Sequence, residues 1–167
     1  MKLTLYGSIG WRHPLGIGQV VHWAAAYGWD AIDARGMSID IAGPLDVRLN
    51  AFGYDMLGPR QIRDSARREL RGMFDKEGIP LLGIYCSSPV NLAGEQGDAC
   101  RQLCREYFRL GADLGVEWIR PINNIAARAD DLHSQDEVYE RTVEGLRNVG
   151  QLAAELEIGI LLKNNEN

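Results

Sequence analysis

The chain has 167 residues, and 46% apolar against 25% charged side chains is the balance of a globular protein, not a disordered one. Lys and Arg number 18 against 23 Asp and Glu, a net charge of −5 with no basic run, which argues against nucleic acid and anionic membrane surfaces as partners. No run approaches the ~18 apolar residues of a membrane span, and the opening Met1 to Gly7 is too short for a signal-peptide core. The expected setting is soluble and cytoplasmic, with residues 1–167 forming one domain.

The first apolar run, Lys2 to Ser8, reads as a strand that ends in a loop at Gly7. From Gly16 to Gly28, the spacing of Ile17, Val20, Val21, Ala24 and Ala25 marks a helical face, and Gly28 stops it. Ala31 to Arg35 is a short strand, followed by a long loop to about Gly58. A second helix places Ile62, Ala66, Leu70 and Met73 on one face and ends at Lys76-Glu77-Gly78, a cation before a terminal glycine. Leu81 to Cys86 is the third strand. Ala99, Leu103, Tyr107, Leu110 and Leu114 stripe a third helix that closes at Gly115, and Glu117 to Ile122 is the fourth strand.

Ser134 and Glu137 are spaced as a capping box for a fourth helix, whose apolar period runs through Tyr139, Val143, Leu146, Val149, Leu152, Ala153 and Leu156. Ile158 to Leu162 is a continuous apolar run, the pattern of a strand buried on both faces. The order βαβαβαβαβ implies a parallel sheet covered by helices, either a doubly wound open sheet or a (β/α)8 barrel. Neither a Gly-x-Gly-x-x-Gly turn nor a Gly-Lys-Ser/Thr phosphate loop follows the first strand, which disfavours nucleotide binding.

Three cysteines without a repeating spacing do not form a disulfide framework. Cys100 and Cys104, four apart on the third helix, lack the neighbouring His or Cys pair that a tetrahedral metal set needs, and are expected as small, partly buried thiols beside Leu103 and Phe108. In parallel α/β folds ligands sit at the carboxyl ends of the strands. The residues there are Trp11 and His13 after the first strand, Asp33 and Arg35 after the second, Ser87, Ser88 and Asn91 after the third, and Arg120 in the fourth. Asp33 and Arg35 are two apart on a strand and so share a face. Arg35 and Arg120 each offer a planar fork for a phosphate or carboxylate. Alongside these readings, Asp33 and Arg35 also fit an interior ion pair, Arg120 a surface arginine, His13 a solvated loop and Trp11 a core-closing ring. No His or Asp stands beside either serine to activate it. His22 and His133 are expected in structural or solvated roles.

Three passages resemble the sugar phosphate isomerase/epimerase family with a xylose isomerase-like TIM barrel. They are Gly28-Trp29-Asp30-Ala31-Ile32-Asp33-Ala34-Arg35-Gly36, Leu110 through Arg120, and Ala153 through Leu162, in the family's order along the whole chain. The resemblance implies a barrel enzyme that holds a divalent metal (Mn, Mg, Co or Zn) and moves a proton or hydride between adjacent carbons of a sugar or sugar phosphate. In that family the metal ligands are a Glu ending the fifth strand, then Asp, His and Glu on strands six to eight. Here Lys163 stands at the fifth-strand position, with Glu166 three residues on as a shifted substitute.

A TIM barrel typically takes about 250 residues, so 167 residues with five strands correspond to the N-terminal part of an incomplete (β/α)8 barrel. The expected ligand is a small sugar or sugar phosphate, contacted by Trp11, His13, Asp33, Arg35 and Arg120. Lys163 as a Schiff-base amine is a minor variant of the same reading. The expected closing partner is a second copy of the chain or a missing C-terminal half. By this reading the chain descends from a metal-dependent isomerase or epimerase and is inactive alone, because most metal ligands are missing. The alternatives are a non-catalytic sugar-binding or oligomerisation half-barrel and an abasic-site endonuclease-like barrel. Three His and a net charge of −5 argue against the last.

Overall fold

The computed structural model describes residues 3–6, 17–34, 59, 62, 64–122 and 135–163. Its strands are β1 (Thr4–Tyr6), β2 (Ala31–Ala34), β3 (Leu81–Pro89), β4 (Trp118–Ile122) and β5 (Gly159–Ile160). Between them lie α1 (Ile17–Ala26), α2 (Asp64–Glu77), α3 (Gly94–Leu114) and α4 (Gln135–Glu155).

All strands are parallel, in the spatial order β1-β2-β3-β4-β5. That order decides between the two architectures left open by the alternation of elements. A doubly wound sheet reverses its strand order at a switch point, whereas this sheet advances one strand at a time. With right-handed crossovers, every helix then falls on the same face. The helices accordingly pack in sequence, α1 on α2, α2 on α3, α3 on α4, and the sheet is an incomplete (β/α)8 barrel.

The core lies between that helix layer and the sheet. Val20, Val21, Ala24, Leu70, Phe74, Tyr107, Phe108, Leu110 and Val149 come from the helices; Ile32, Ile84 and Ile119 come from the strands. Tight packing is visible where Ile119 meets α3, since a Cβ built on Gly111 would lie 2.9 Å from the Ile119 Cδ1. Phe74 joins this core beside Leu70, and Ala66 and Met73 of the stripe predicted for α2 pack against it half-buried.

A common device turns each helix into the next strand. At Gly28, Gly78 and Gly115 the backbone takes a positive φ. The following residue then donates back to the helix: Trp29 to Ala24, Ile79 to Phe74 and Val116 to Gly111. The same pair of bonds ends α4, where Ile158 donates to Ala153 across Glu157 at φ 56. There the helix stops at a residue with a Cβ.

Several predicted boundaries move. Ile62 is buried but precedes α2, where its carbonyl accepts from the Arg67 Nε at 3.2 Å. The third strand extends past the predicted Leu81 to Cys86 through Ser87-Ser88-Pro89; the register slips there, so that Tyr85 faces Arg120 but Pro89 faces Ile122. On α3 the predicted Tyr107, Leu110 and Leu114 are buried together with Cys104, Phe108 and Gly111, whereas Ala99 is exposed. Tyr139 on α4 is 67% exposed and not a core residue.

The largest change is at β5, which holds two paired residues while Leu161 and Leu162 are 41% and 50% exposed. A strand predicted as buried on both faces pairs with β4 alone among the described residues, and the two leucines that follow it are exposed. Ser134, assigned as a cap, and His133 lie outside the described residues.

Candidate binding site on the inner face of the sheet

Alternation along the strands separates two faces. Ile84 and Ile119 are register partners and point to the helices. Gly83 and Trp118, one residue earlier, therefore point the other way, and so do Tyr85 and Arg120, one residue later. Asp33 pairs with Gly83, and Ala34 with Ile84, which puts Asp33 on the same inner face. In a closed barrel this face lines the interior.

Contacts agree with that assignment. The Trp118 ring covers Gly83 so closely that a Cβ built there would lie 2.4 Å from ring carbons Cδ2, Cε2 and Cε3. Glycine is thus the residue that lets an indole lie flat across β3. The Arg120 guanidinium carbon lies 4.9 Å from the centre of the Tyr85 ring, a cation–π contact between neighbouring strands. Asp33 and Arg120 are 7% and 8% exposed, so both charged groups are withdrawn from bulk water.

Of the residues singled out from sequence, Asp33 and Arg120 share this face near the carboxyl ends of β2 and β4. Lys163 lies three residues past β5, at the same end of the sheet, and is exposed. Trp11, His13, Arg35 and Glu166 lie outside the described residues. Sequence reasoning missed Tyr85 and Trp118. The signal for them was alternation in β3 and β4, joined to a glycine inside a strand, but it becomes readable only with the register known.

The serines after β3 were expected to offer hydroxyls to a ligand. Ser88 instead donates to the Cys100 carbonyl at 2.8 Å and is buried against α3. Its hydroxyl fastens the slipped part of β3 to the helix layer. Cys86 is buried in the same region, and its thiol is held well above the ordinary range by burial and then by a hydrogen bond with Cys104. A thiol kept protonated in this way is a poor nucleophile. Cys100 is half-buried and Cys104 fully buried; all three cysteines are free.

The described residues do not fit a divalent metal. No three of their His, Cys, Asp or Glu side chains stand where they share a coordination site. The side chain at the end of β5 is an ammonium, not the oxygen donor a hard cation requires. No helix among the described residues is long and apolar enough to cross a membrane.

No protein-family model matches the chain, and no curated protein does. Solved structures do match it. One is the apo form of 3-keto-D-glucoside 4-epimerase YcjR from E. coli, at 13% identity and a TM-score of 0.67, over 97% of this chain and 55% of that one. D-psicose 3-epimerase in the presence of D-fructose matches at 15% identity and a TM-score of 0.67, over 96% of this chain and 51% of that one. The IolI protein with a bound zinc atom matches at 17% identity and a TM-score of 0.69, over 97% and 51%. The fold is thus that of xylose isomerase-like TIM barrels, as the sequence resemblance implied, and the chain spans about half the length of the structures it matches.

Proposed function

We propose that this chain is the sugar-holding, N-terminal portion of an isomerase- or epimerase-type barrel, and that as given it does not turn a substrate over alone. The observation that carries this reading is the placement of Asp33 and Arg120, both buried, on the inner face near the carboxyl ends of their strands. In barrels of this type that end holds the substrate. The epimerases among the structural neighbours favour a sugar as ligand, D-fructose being present with one of them.

Arg120 is the group for a phosphate or for oxygens clustered on one side of a sugar, its plane fixed by the Tyr85 ring beneath it. Asp33 accepts from sugar hydroxyls. Trp11, His13 and Arg35 complete the proposed contacts. Lys163 brings a positive charge to the position where the family has a metal ligand, so the chain's own cations face the substrate oxygens. No proton or hydride step is assigned to a metal here, because the described donor set does not hold one.

Titration calorimetry with D-fructose, D-psicose and fructose 6-phosphate, paired with an epimerisation assay with and without added Mn, Co or Zn, tests both halves of the reading. Saturable binding without turnover is the expected result. Turnover by this chain with added metal would overturn the claim of inactivity, and no binding of any of the three would overturn the sugar reading.

The open edges favour a second reading, a non-catalytic half-barrel that closes against another chain. Leu3 flanks one edge of the sheet, Leu161 and Leu162 the other, and all three are exposed. On α1, His22 meets Glu77 of α2. Trp23 and Tyr27 lie roughly 100–140° around the helix from His22, on the flank turned away from α2, and both are exposed. Sedimentation at low concentration separates the cases. A monomer that binds no exposed-hydrophobe dye would rule out the half-barrel account.

A further inference from the structure

One row of the inner face carries little but an aromatic ring. Asp33, Gly83, Trp118 and Gly159 are register partners across β2, β3, β4 and β5. Two of these have no side chain, and the indole of Trp118 lies where a side chain at Gly83 would stand. Its carbons Cδ2, Cε2 and Cε3 are all 2.4 Å from a Cβ built on that glycine. A Cα–Cβ bond points out of the pleat, so a ring equally distant at three atoms lies parallel to the sheet. One face of the indole is therefore against β3 and the other is turned to the barrel interior. Trp118 is accordingly half-buried, unlike its neighbour Ile119 on the helix side.

Polar groups border this plate. Arg120 stands two residues further along β4, roughly 7 Å toward the carboxyl end, with its guanidinium held over Tyr85. Asp33 stands beyond Gly83, on the side to which the indole reaches. On the other side Gly159 is exposed and raises no side chain beside the ring. A flat apolar plate with a carboxylate at one border and an arginine at another suits a closed sugar ring. The C–H groups on one side of such a ring meet the negative face of the indole, while its hydroxyls reach outward to the charged groups. An open-chain sugar has no comparable flat side and loses more internal rotation on being held there.

We propose that Trp118 is the floor on which this site stacks its sugar, and that the sugar is taken ring-closed. The inference rests on the sugar reading above and adds to it the form of the ligand and the residue that selects that form. A closed ring has no free carbonyl beside which a proton could be moved, which fits holding without turnover.

The test is calorimetry of the full chain with D-fructose, with methyl β-D-fructopyranoside, whose ring cannot open, and with the acyclic D-mannitol. Both ring sugars should bind, and D-mannitol should bind about tenfold more weakly or not at all. Trp118→Leu should weaken the ring sugars about fivefold, and Trp118→Phe, which keeps an aromatic plate, should restore most of that loss. If Trp118→Leu does not fold, tryptophan emission carries the test: a change on adding the locked sugar should appear in the parent chain and vanish in Trp118→Phe. Ring-sugar binding unchanged in folded Trp118→Leu would overturn the proposal and leave the sugar reading standing. So would D-mannitol binding as tightly as the ring sugars, or an emission change that persists in Trp118→Phe. Binding of fructose 6-phosphate without either ring sugar would likewise sink only the stacking floor, whereas binding of none of these compounds would end both.

Discussion

The guanidinium of Arg120 lies over the ring of Tyr85, 4.9 Å from its centre, and the two residues are register partners on adjacent strands. The pairing holds a planar cation in one orientation on the inner face without spending its hydrogen bonds on the ring. A side chain fixed in this way loses little further freedom when it meets an anionic ligand.

Arg120→Gln should therefore weaken binding of fructose 6-phosphate at least tenfold while affecting D-fructose less, because the phosphate depends more on the charge. Tyr85→Leu should weaken it by a smaller factor, in keeping with a cation–π contact worth about 0.5–2 kcal/mol. Calorimetry on both variants, with circular dichroism as a check on folding, measures this. Equal losses for both sugars would assign Arg120 to hydroxyl contacts instead of a phosphate.

Gly83 and Trp118 form a second pair across the same strands, and here the space is the point. Gly83→Ala places a methyl 2.4 Å from the indole carbons and should cost about 1–3 kcal/mol, read from urea denaturation. Trp118→Leu removes the obstruction. The double variant should then be distinctly more stable than the sum of the two single losses predicts.

At the end of α4, Glu157 occupies the left-handed turn that glycine fills in the three equivalent helix endings. The geometry is already glycine-like, so Glu157→Gly relieves the Cβ strain while adding some unfolded-state entropy. The net expectation is a stabilisation of about 0.5–1 kcal/mol. Gly115→Glu, the reverse exchange in the same turn after α3, should destabilise by at least as much. Thermal melts of both variants provide the comparison.

Cys86 gives the fold an alkaline limit. Its thiol is held protonated in the folded state, whereas the unfolded chain loses that proton near the ordinary value of ~8.5. Below that value the stabilisation is fully present. As pH rises above it the unfolded state binds fewer protons than the folded one, so stability falls by up to about 1.4 kcal/mol per pH unit until the folded thiol also ionises. Denaturation midpoints at pH 7 and 9.5 should show this loss, and Cys86→Ala should flatten it. An unchanged slope in that variant would assign the loss to other groups.

The helices and strands were largely legible before folding, because each burial face repeats at a fixed spacing. Val20, Val21 and Ala24 on α1 were found in this way, and so were Tyr107, Leu110 and Leu114 on α3. The errors fall where a local pattern carries no information about neighbours. Tyr139 keeps the helical period yet faces water, and Leu161 and Leu162 read as doubly buried because the apolar run does not record how many strands flank it. Ser88 looked like a ligand contact until the register slip in β3 turned its hydroxyl to α3.

By itself, then, the sequence determined the alternation of nine elements, the three glycine stops, and the charged residues Asp33 and Arg120 near the strand ends. Those are properties of spacing within one stretch of chain. Only the tertiary structure decided that the strands run in unbroken order, that all helices lie on one side, and that Tyr85, Trp118, Asp33 and Arg120 share the other. The physical reason is the same throughout. Side-chain periodicity is set by the geometry of a single element, whereas pairing, register and cavities come from contacts between residues tens of positions apart.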